Sequence, residues 1–393
     1  MNLIAPPLSL YIHMPWCVKK CPYCDFNSHG LRNEPPPYAG YIDHLLADLD
    51  ADRADFGAAL ESRPGISRPL ISVFFGGGTP SLFAPELIAR LLDGVRERLP
   101  LAADAEITLE TNPGTVEHGR FDGYLAAGVN RISFGVQSFD DDKLKRLGRI
   151  HSASEAEAAV KSAQDAGYAN INLDLMYALP QQTLDGALAD VERAVALQPA
   201  HISHYQLTLE PNTAFAANPP PLPDDDRAWE MQEACEQRLA AAGYGQYEIS
   251  AYAQANRRCT HNLNYWRFGD YLGIGAGAHG KLSDAASGQI QRRWKTRHPR
   301  AYLAAAGGTA RIGGDSVVSA TELPFEYMLN ALRLIDGVPM ADFTERTGLP
   351  PERITATLAA ACQRGWLHED PQQLRTTTLG QRFLNDVIAS FLD

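Results

Sequence analysis

The sequence predicts an α/β protein built on a parallel sheet, and three observations carry that prediction. Six β-branched or aromatic runs, near residues 8, 70, 105, 131, 171 and 201, alternate with helical stretches, and strands joined by helical crossovers pair parallel. The composition, 45% hydrophobic and 21% charged over 393 residues, is that of a globular chain with a full core. Polar and glycine-rich residues collect at the ends of the predicted strands, where parallel α/β sheets bind ligands.

Residues 8–13 read as the first strand. The loop after it carries three thiols as C-x3-C-x2-C, at Cys17, Cys21 and Cys24. A loop this tight can wrap three thiolates around one soft centre. The other cysteines, Cys235, Cys259 and Cys362, lie far along the chain. A cubane [4Fe–4S] cluster is usually held by four cysteines, so three local thiolates leave one iron open to an outside ligand. The same thiols with His13 or His29 also meet the Cys3His requirement of structural zinc, although His13 falls inside the strand and zinc knuckles generally use two C-x2–4-C pairs.

A polar link over residues 30–37 leads to a helix over 39–60. Residues 70–75 form a fully buried strand ending in Gly76-Gly77-Gly78-Thr79-Pro80. Three residues without Cβ let a ligand approach the main chain where it leaves the strand. Helices over 85–98, 118–127, 152–166 (capped by Gly167) and 184–197 then alternate with strands over 105–113, 131–139, 171–180 and 201–210. The cysteine loop, the triple glycine, Glu110, Gln137 and Asp174 all fall near C-terminal strand ends, so they converge on one mouth. Singly, Glu110 and Asp174 also suit turn capping, and Gln137 suits a backbone partner.

Residues 219–226 lead into a helix over 227–242, with Asp226 as its N-cap, and a short strand over 247–251 follows. His261, Asn262, Tyr265 and Trp266 place a histidine beside two aromatics. Such a group either ligates a metal next to a flat macrocycle or forms a partly buried cluster. Residues 271–280 read as a glycine-rich loop without the Rossmann frame, and His279 as a structural histidine. Residues 307–315 read as a glycine-rich break. Beyond it, helices over 322–334, 340–347 and 351–364, two short strands (366–368 and 374–376) and a closing helix over 379–391 make a small winged-helix-like module. Cys235 and Cys362 read as small buried residues.

The net charge of −12 and the lack of a Lys/Arg stripe on the module's third helix argue against a nucleic-acid partner. The module therefore reads as a lid or packing domain. There is no basic n-region, and no apolar stretch approaches the roughly 18–20 residues that span a bilayer. The expectation is a cytoplasmic protein that does not cross a membrane.

The cysteine spacing resembles the signature of the radical S-adenosylmethionine (SAM) enzymes. The resemblance implies a [4Fe–4S] cluster on Cys17, Cys21 and Cys24, with the amino and carboxylate groups of SAM on the fourth iron. It implies Tyr23 near the adenine. It implies a partial (β/α)6 TIM-type barrel with a small C-terminal winged-helix-like α+β domain, in agreement with the strand count. Gly76, Gly77, Gly78 and Thr79 resemble the motif that meets the methionine amino group. Tyr11, Glu110, Gln137, Arg149 and Asp174 match, in order and spacing, SAM-contacting positions of the oxygen-independent coproporphyrinogen oxidase branch. The loop at 271–280 is expected beside SAM.

Within that superfamily, the oxidases carry a fourth cysteine where this chain has Phe26, and an N-terminal extension ahead of the first strand. His261-Asn262-x-x-Tyr265-Trp266 is similar to the HNxxYW motif of the HemW-type heme chaperones, and Phe26 agrees with that branch. The implied domains are a core barrel over 1–245, a family-specific segment over 246–315 and the C-terminal domain over 316–393. The implied function is to bind heme, beside the cluster and SAM, and pass it to acceptor proteins such as respiratory-chain enzymes, with an electron donor serving the cluster. The alternative is a radical SAM enzyme acting on a porphyrinogen, in which cleavage of SAM yields a hydrogen-abstracting 5′-deoxyadenosyl radical.

Overall fold

Along β1 (Leu8–Met14), Leu8, Leu10, Ile12 and Met14 alternate with Ser9, Tyr11 and His13. The apolar set joins the main hydrophobic core, while Ser9 bonds Ser72 and Tyr11 stacks on Phe74 across the opposite face. Each strand of a barrel separates its two faces in this way. In the computed structural model, residues 3–31, 35–63, 65–114, 120–305 and 307–392 are described. The expected helix start at His118 and part of the 30–37 link fall outside them.

Five further parallel strands follow: β2 (Leu70–Gly77), β3 (Leu101–Thr111), β4 (Arg131–Gln137), β5 (Ile171–Tyr177) and β6 (His201–Gln206). They pair in sequence order, β1 with β2 through to β5 with β6. The crossovers are α1 (Tyr38–Phe56), α2 (Pro85–Arg98), α3 (Phe121–Ala127), α4 (Ala153–Asp165) and α5 (Leu184–Ala196). Helix α4 shows its sequence signals directly: Ser152 and Glu155 form a capping box, and Gly167 takes φ +102° just beyond its end. A short helix at Asp141–Arg146 was not foreseen. The six-stranded (β/α) partial barrel is therefore present.

The sheet runs further than expected, twelve strands among the described residues. After α6 (Asp225–Ala241), capped by Asp224 rather than Asp226 because the Asp224 carboxylate accepts the Arg227 amide, β7 (Gly245–Glu248) and β8 (Ala251–Ala253) close one edge antiparallel. Helix α7 (Thr260–Trp266) follows. On the other side of β1, β9 (Asp270–Ile274) pairs parallel to it, followed by β10 (His279–Asp284), β11 (Gln289–Lys295) and β12 (Ile312–Val317), all antiparallel. The expected loop at 271–280 is thus mostly strand, and the break at 307–315 runs into β12. Packing explains those glycines: a Cβ on Gly273 would lie 2.0 Å from the His279 carbonyl oxygen, and one on Gly314 would lie 2.2 Å from the Trp294 indole.

A buried ionic knot ties this extension to the barrel. Asp48 and Asp52 of α1 accept bonds from Lys295 and Arg311, and Asp48 also from Tyr302. The C-terminal module contains α8 (Leu323–Ala331), α9 (Met340–Thr347) and α10 (Glu352–Gln363). It shares a second core with Tyr247, Phe268 and Ile290. The expected strand at 366–368 reduces to a bridge between Leu367 and Thr376, the one at 374–376 begins in Gln373–Leu374, which pairs antiparallel with Val338–Pro339, and the expected closing helix breaks at Phe383 into Thr378–Arg382 and Leu384–Ala389. Cys235 is buried as expected, whereas Cys362 is half-buried. No helix among the described residues is long and apolar enough to cross a membrane.

Candidate functional site

The cysteine loop leaves β1 at Pro15 and closes on itself. Trp16–Cys17 pairs with His29–Gly30, the Leu31 amide donates to the Cys17 carbonyl over 2.8 Å, and Cys24 closes a turn on Cys21 over 3.2 Å. Cys17, Cys21 and Cys24 are each half-buried and line one cavity of about 270 Å3. Burial pushes the Cys17 thiol up, opposed by hydrogen bonds to Thr79 and Ser28. His13 has one ring nitrogen 3.0 Å from the Tyr11 hydroxyl and the other 3.0 Å from the Asn27 carbonyl oxygen, so neither is free for the zinc alternative.

The triple glycine also has a packing origin. A Cβ on Gly77, at φ +106°, would fall 2.3 Å from the His13 ring, and one on Gly78 would fall 2.6 Å from the carbonyl oxygens of Met14 and Trp16. The Gly78 and Thr79 amides donate to those two carbonyls over 2.7 and 2.8 Å. The motif is therefore a seam that docks β2 against the cysteine loop. Gly77 and Gly78 still line the cavity, while Gly76 packs against Tyr11 and Phe74, and Thr79 accepts from Asn112.

Glu110, Gln137, Arg149 and Asp174 all face the same cavity. Burial, reinforced by Asp174, raises the Glu110 carboxyl to about 8, against the pull of the Gly77 amide and Arg131. Burial also raises Asp174, held back by Asn172, Ser203 and the two arginines. Gln137 sits at φ +70°, costly for a residue with a side chain and typical of functional sites. Its amide oxygen accepts from Tyr205 over 3.1 Å. Arg149 bonds Asn112 and the Gly135 carbonyl and lies 3.7 Å from the Cys21 sulfur, which places a fixed cation beside a thiol. Asn112, Ser133 and Tyr205 also line the cavity and were missed. Alternation along their strands was the signal for Ser133 and Tyr205.

The other expected residues divide. Tyr23 lines the cavity and packs toward Phe215. Phe26, 60% exposed, stands at the mouth between this cavity and a neighbouring one of about 750 Å3, which Tyr11 and Tyr265 line. His261 is buried inside the barrel. Its ring stacks on Phe74 at 4.5 Å and meets Tyr265 edge-on at 4.7 Å, with Nδ1 3.3 Å from the Ser72 hydroxyl. Burial, then Arg131, hold its pKa down to about 3. His261, Asn262 and Trp266 are not among the described residues lining either cavity, and Trp266 packs against the second core.

Three thiols with no fourth cysteine beside them, and a mouth rich in polar groups, fit a site-differentiated cluster and a small zwitterion. Residues 11–194 match the Radical SAM superfamily model and residues 318–383 the HemN C-terminal domain. Over 98% of this chain and 98% of theirs, the chain is 52% identical to the heme chaperone HemW of Escherichia coli and 50% identical to that of Haemophilus influenzae. The fold matches the coproporphyrinogen III oxidase HemN of Escherichia coli with a TM-score of 0.81 at 21% identity, covering 100% of this chain and 91% of the other.

Proposed function

The chain belongs to the HemW family of the radical SAM superfamily, and from that premise we propose that it binds heme and hands it to acceptor proteins such as respiratory-chain enzymes. Superfamily membership implies a [4Fe–4S] cluster and SAM. In this reading Cys17, Cys21 and Cys24 hold the cluster. Gly77, Gly78, Glu110, Gln137, Arg149 and Asp174 receive SAM, with Tyr23 as a wall. When bound, the pair supplies one-electron chemistry drawn from an external electron donor.

One observation carries the heme reading. Helix α7, which bears the His261-Asn262-x-x-Tyr265-Trp266 motif, ends with Tyr265 in a cavity that opens beside the cluster mouth. Its aromatic walls suit a flat macrocycle. His261 would act by supporting Tyr265 and Tyr11 from beneath, and Trp266 by joining the helix to the C-terminal core. Phe26, at the fourth-cysteine position of the oxidases, speaks for cargo binding rather than porphyrinogen turnover.

The test uses full-length protein reconstituted anaerobically and mixed with heme, or separately with coproporphyrinogen III, SAM and reductant. Stoichiometric heme uptake without protoporphyrinogen formation is the expected result. Turnover of the porphyrinogen overturns it.

A further inference from the structure

The second cavity contains two groups that the fold leaves unused. His279, at the start of β10, is exposed to it. Among the described residues its ring nitrogens accept or donate no hydrogen bond, and its ring faces Trp294, 6.3 Å away and 22° from parallel. Arg297, exposed on the same rim, has no ion pair from its guanidinium among the described residues.

The wall behind His279 is built for a large ring. His279 and Trp294 are cross-strand partners, and Trp294 is in turn opposite Gly314. Cβ atoms on Gly313 and Gly314 would lie 2.9 and 2.2 Å from the indole, so the two glycines clear a seat for it. Across the cavity, Tyr265 and Tyr271 hold their ring centroids 4.4 Å apart. In the buried ionic knot, Asp48 clamps Lys295 next to Trp294 and so fixes this wall to α1.

We propose that this cavity is the heme seat, with His279 as an axial ligand to the iron and Arg297 pairing a propionate. This deepens the chaperone reading and rests on it. A neutral imidazole is the form that binds iron, and partial desolvation of the ring, with Arg292 and Arg297 nearby, lowers the His279 pKa. Arginine is the side chain best matched to a carboxylate fork. A cavity of about 750 Å3 lies within the usual range for ligand sites, roughly 300–1,000 Å3. His261, sealed behind Tyr11 and Phe74, supplies no iron bond in this arrangement.

Ferric heme would be titrated into the full-length, cluster-loaded protein and followed by Soret absorbance. Wild type and His261→Ala should share one Soret position. His279→Ala and the bulkier His279→Gln should weaken binding about tenfold or more and move the band, and added imidazole should return the band of His279→Ala toward wild type. Arg297→Gln should weaken binding without moving the band. Cluster iron content and circular dichroism establish that each variant is folded. If wild type takes up no heme, the chaperone reading fails and this proposal with it. If wild type binds and both His279 variants bind with unchanged affinity and band, the ligand assignment alone is overturned.

Discussion

The Gly77 amide donates to Glu110 Oε2 over 3.2 Å, joining the turn that ends β2 to the carboxylate near the end of β3. Both residues line both cavities. The wall between the cysteine cavity and its neighbour therefore includes one backbone donor and one buried acid, and substitutions there should affect stability and cofactor loading together.

Glu110 makes stability fall with rising pH. Its carboxyl is raised from 4.5 to about 8 in the fold, first by burial and then by Asp174, so the folded chain holds a proton that the unfolded chain releases. The contribution is fully present below about pH 4.5 and lost as pH rises through about 8. In cluster-free protein, Glu110→Gln should gain about 2 kcal/mol on wild type at alkaline pH, with little gain in mild acid. Urea unfolding across that pH range checks it, and parallel curves for the two proteins would refute it.

Gly77→Ala should cost about 2–4 kcal/mol, since it combines a left-handed backbone with a clash against the His13 ring. Cluster iron after reconstitution should drop as well, because the seam orients the cysteine loop. Gly40→Ala is the control: it lies in α1 with nothing within 4 Å of the added Cβ and should be neutral or stabilising by about 0.5–1 kcal/mol.

Cys17→Ala, Cys21→Ala and Cys24→Ala should each abolish the brown chromophore of the reconstituted protein. Cys235→Ala and Cys362→Ala, whose thiols lie outside the cavity, should keep it. Full iron and sulfide content in two of the first three variants would disprove the ligand assignment.

Asp48→Asn should destabilise the protein by about 3–5 kcal/mol, because it removes one of the two carboxylates paired with buried Lys295 and one of the three paired with buried Arg311. Chemical unfolding measures the loss. Asp43→Asn, whose partner Arg90 is exposed on the surface, should change stability by less than about 1 kcal/mol.

Much of the site was legible before any fold was known. The thiols of Cys17, Cys21 and Cys24 are close in sequence, and a short loop admits few arrangements of them. Glu110, Gln137 and Asp174 could be placed at one mouth because strand period and crossover length are local properties. Glycine misled the reading twice. At 271–280 and 307–315 it suggested loop, yet Gly273 and Gly314 lie in strands where another chain segment or an indole needs the space.

The sequence by itself determined the barrel, its cysteine loop and the family, since each rests on spacings of a few residues that survive without knowledge of long-range contacts. Only the tertiary structure decided which cavity each side chain serves. It turned Tyr11 toward the neighbouring cavity, sealed His261 under Phe74 and left His279 open beside Trp294. Those outcomes depend on how β9 pairs with β1 and α7 fills the barrel, with contacts between segments 249 and 255 residues apart, whose geometry no local pattern encodes.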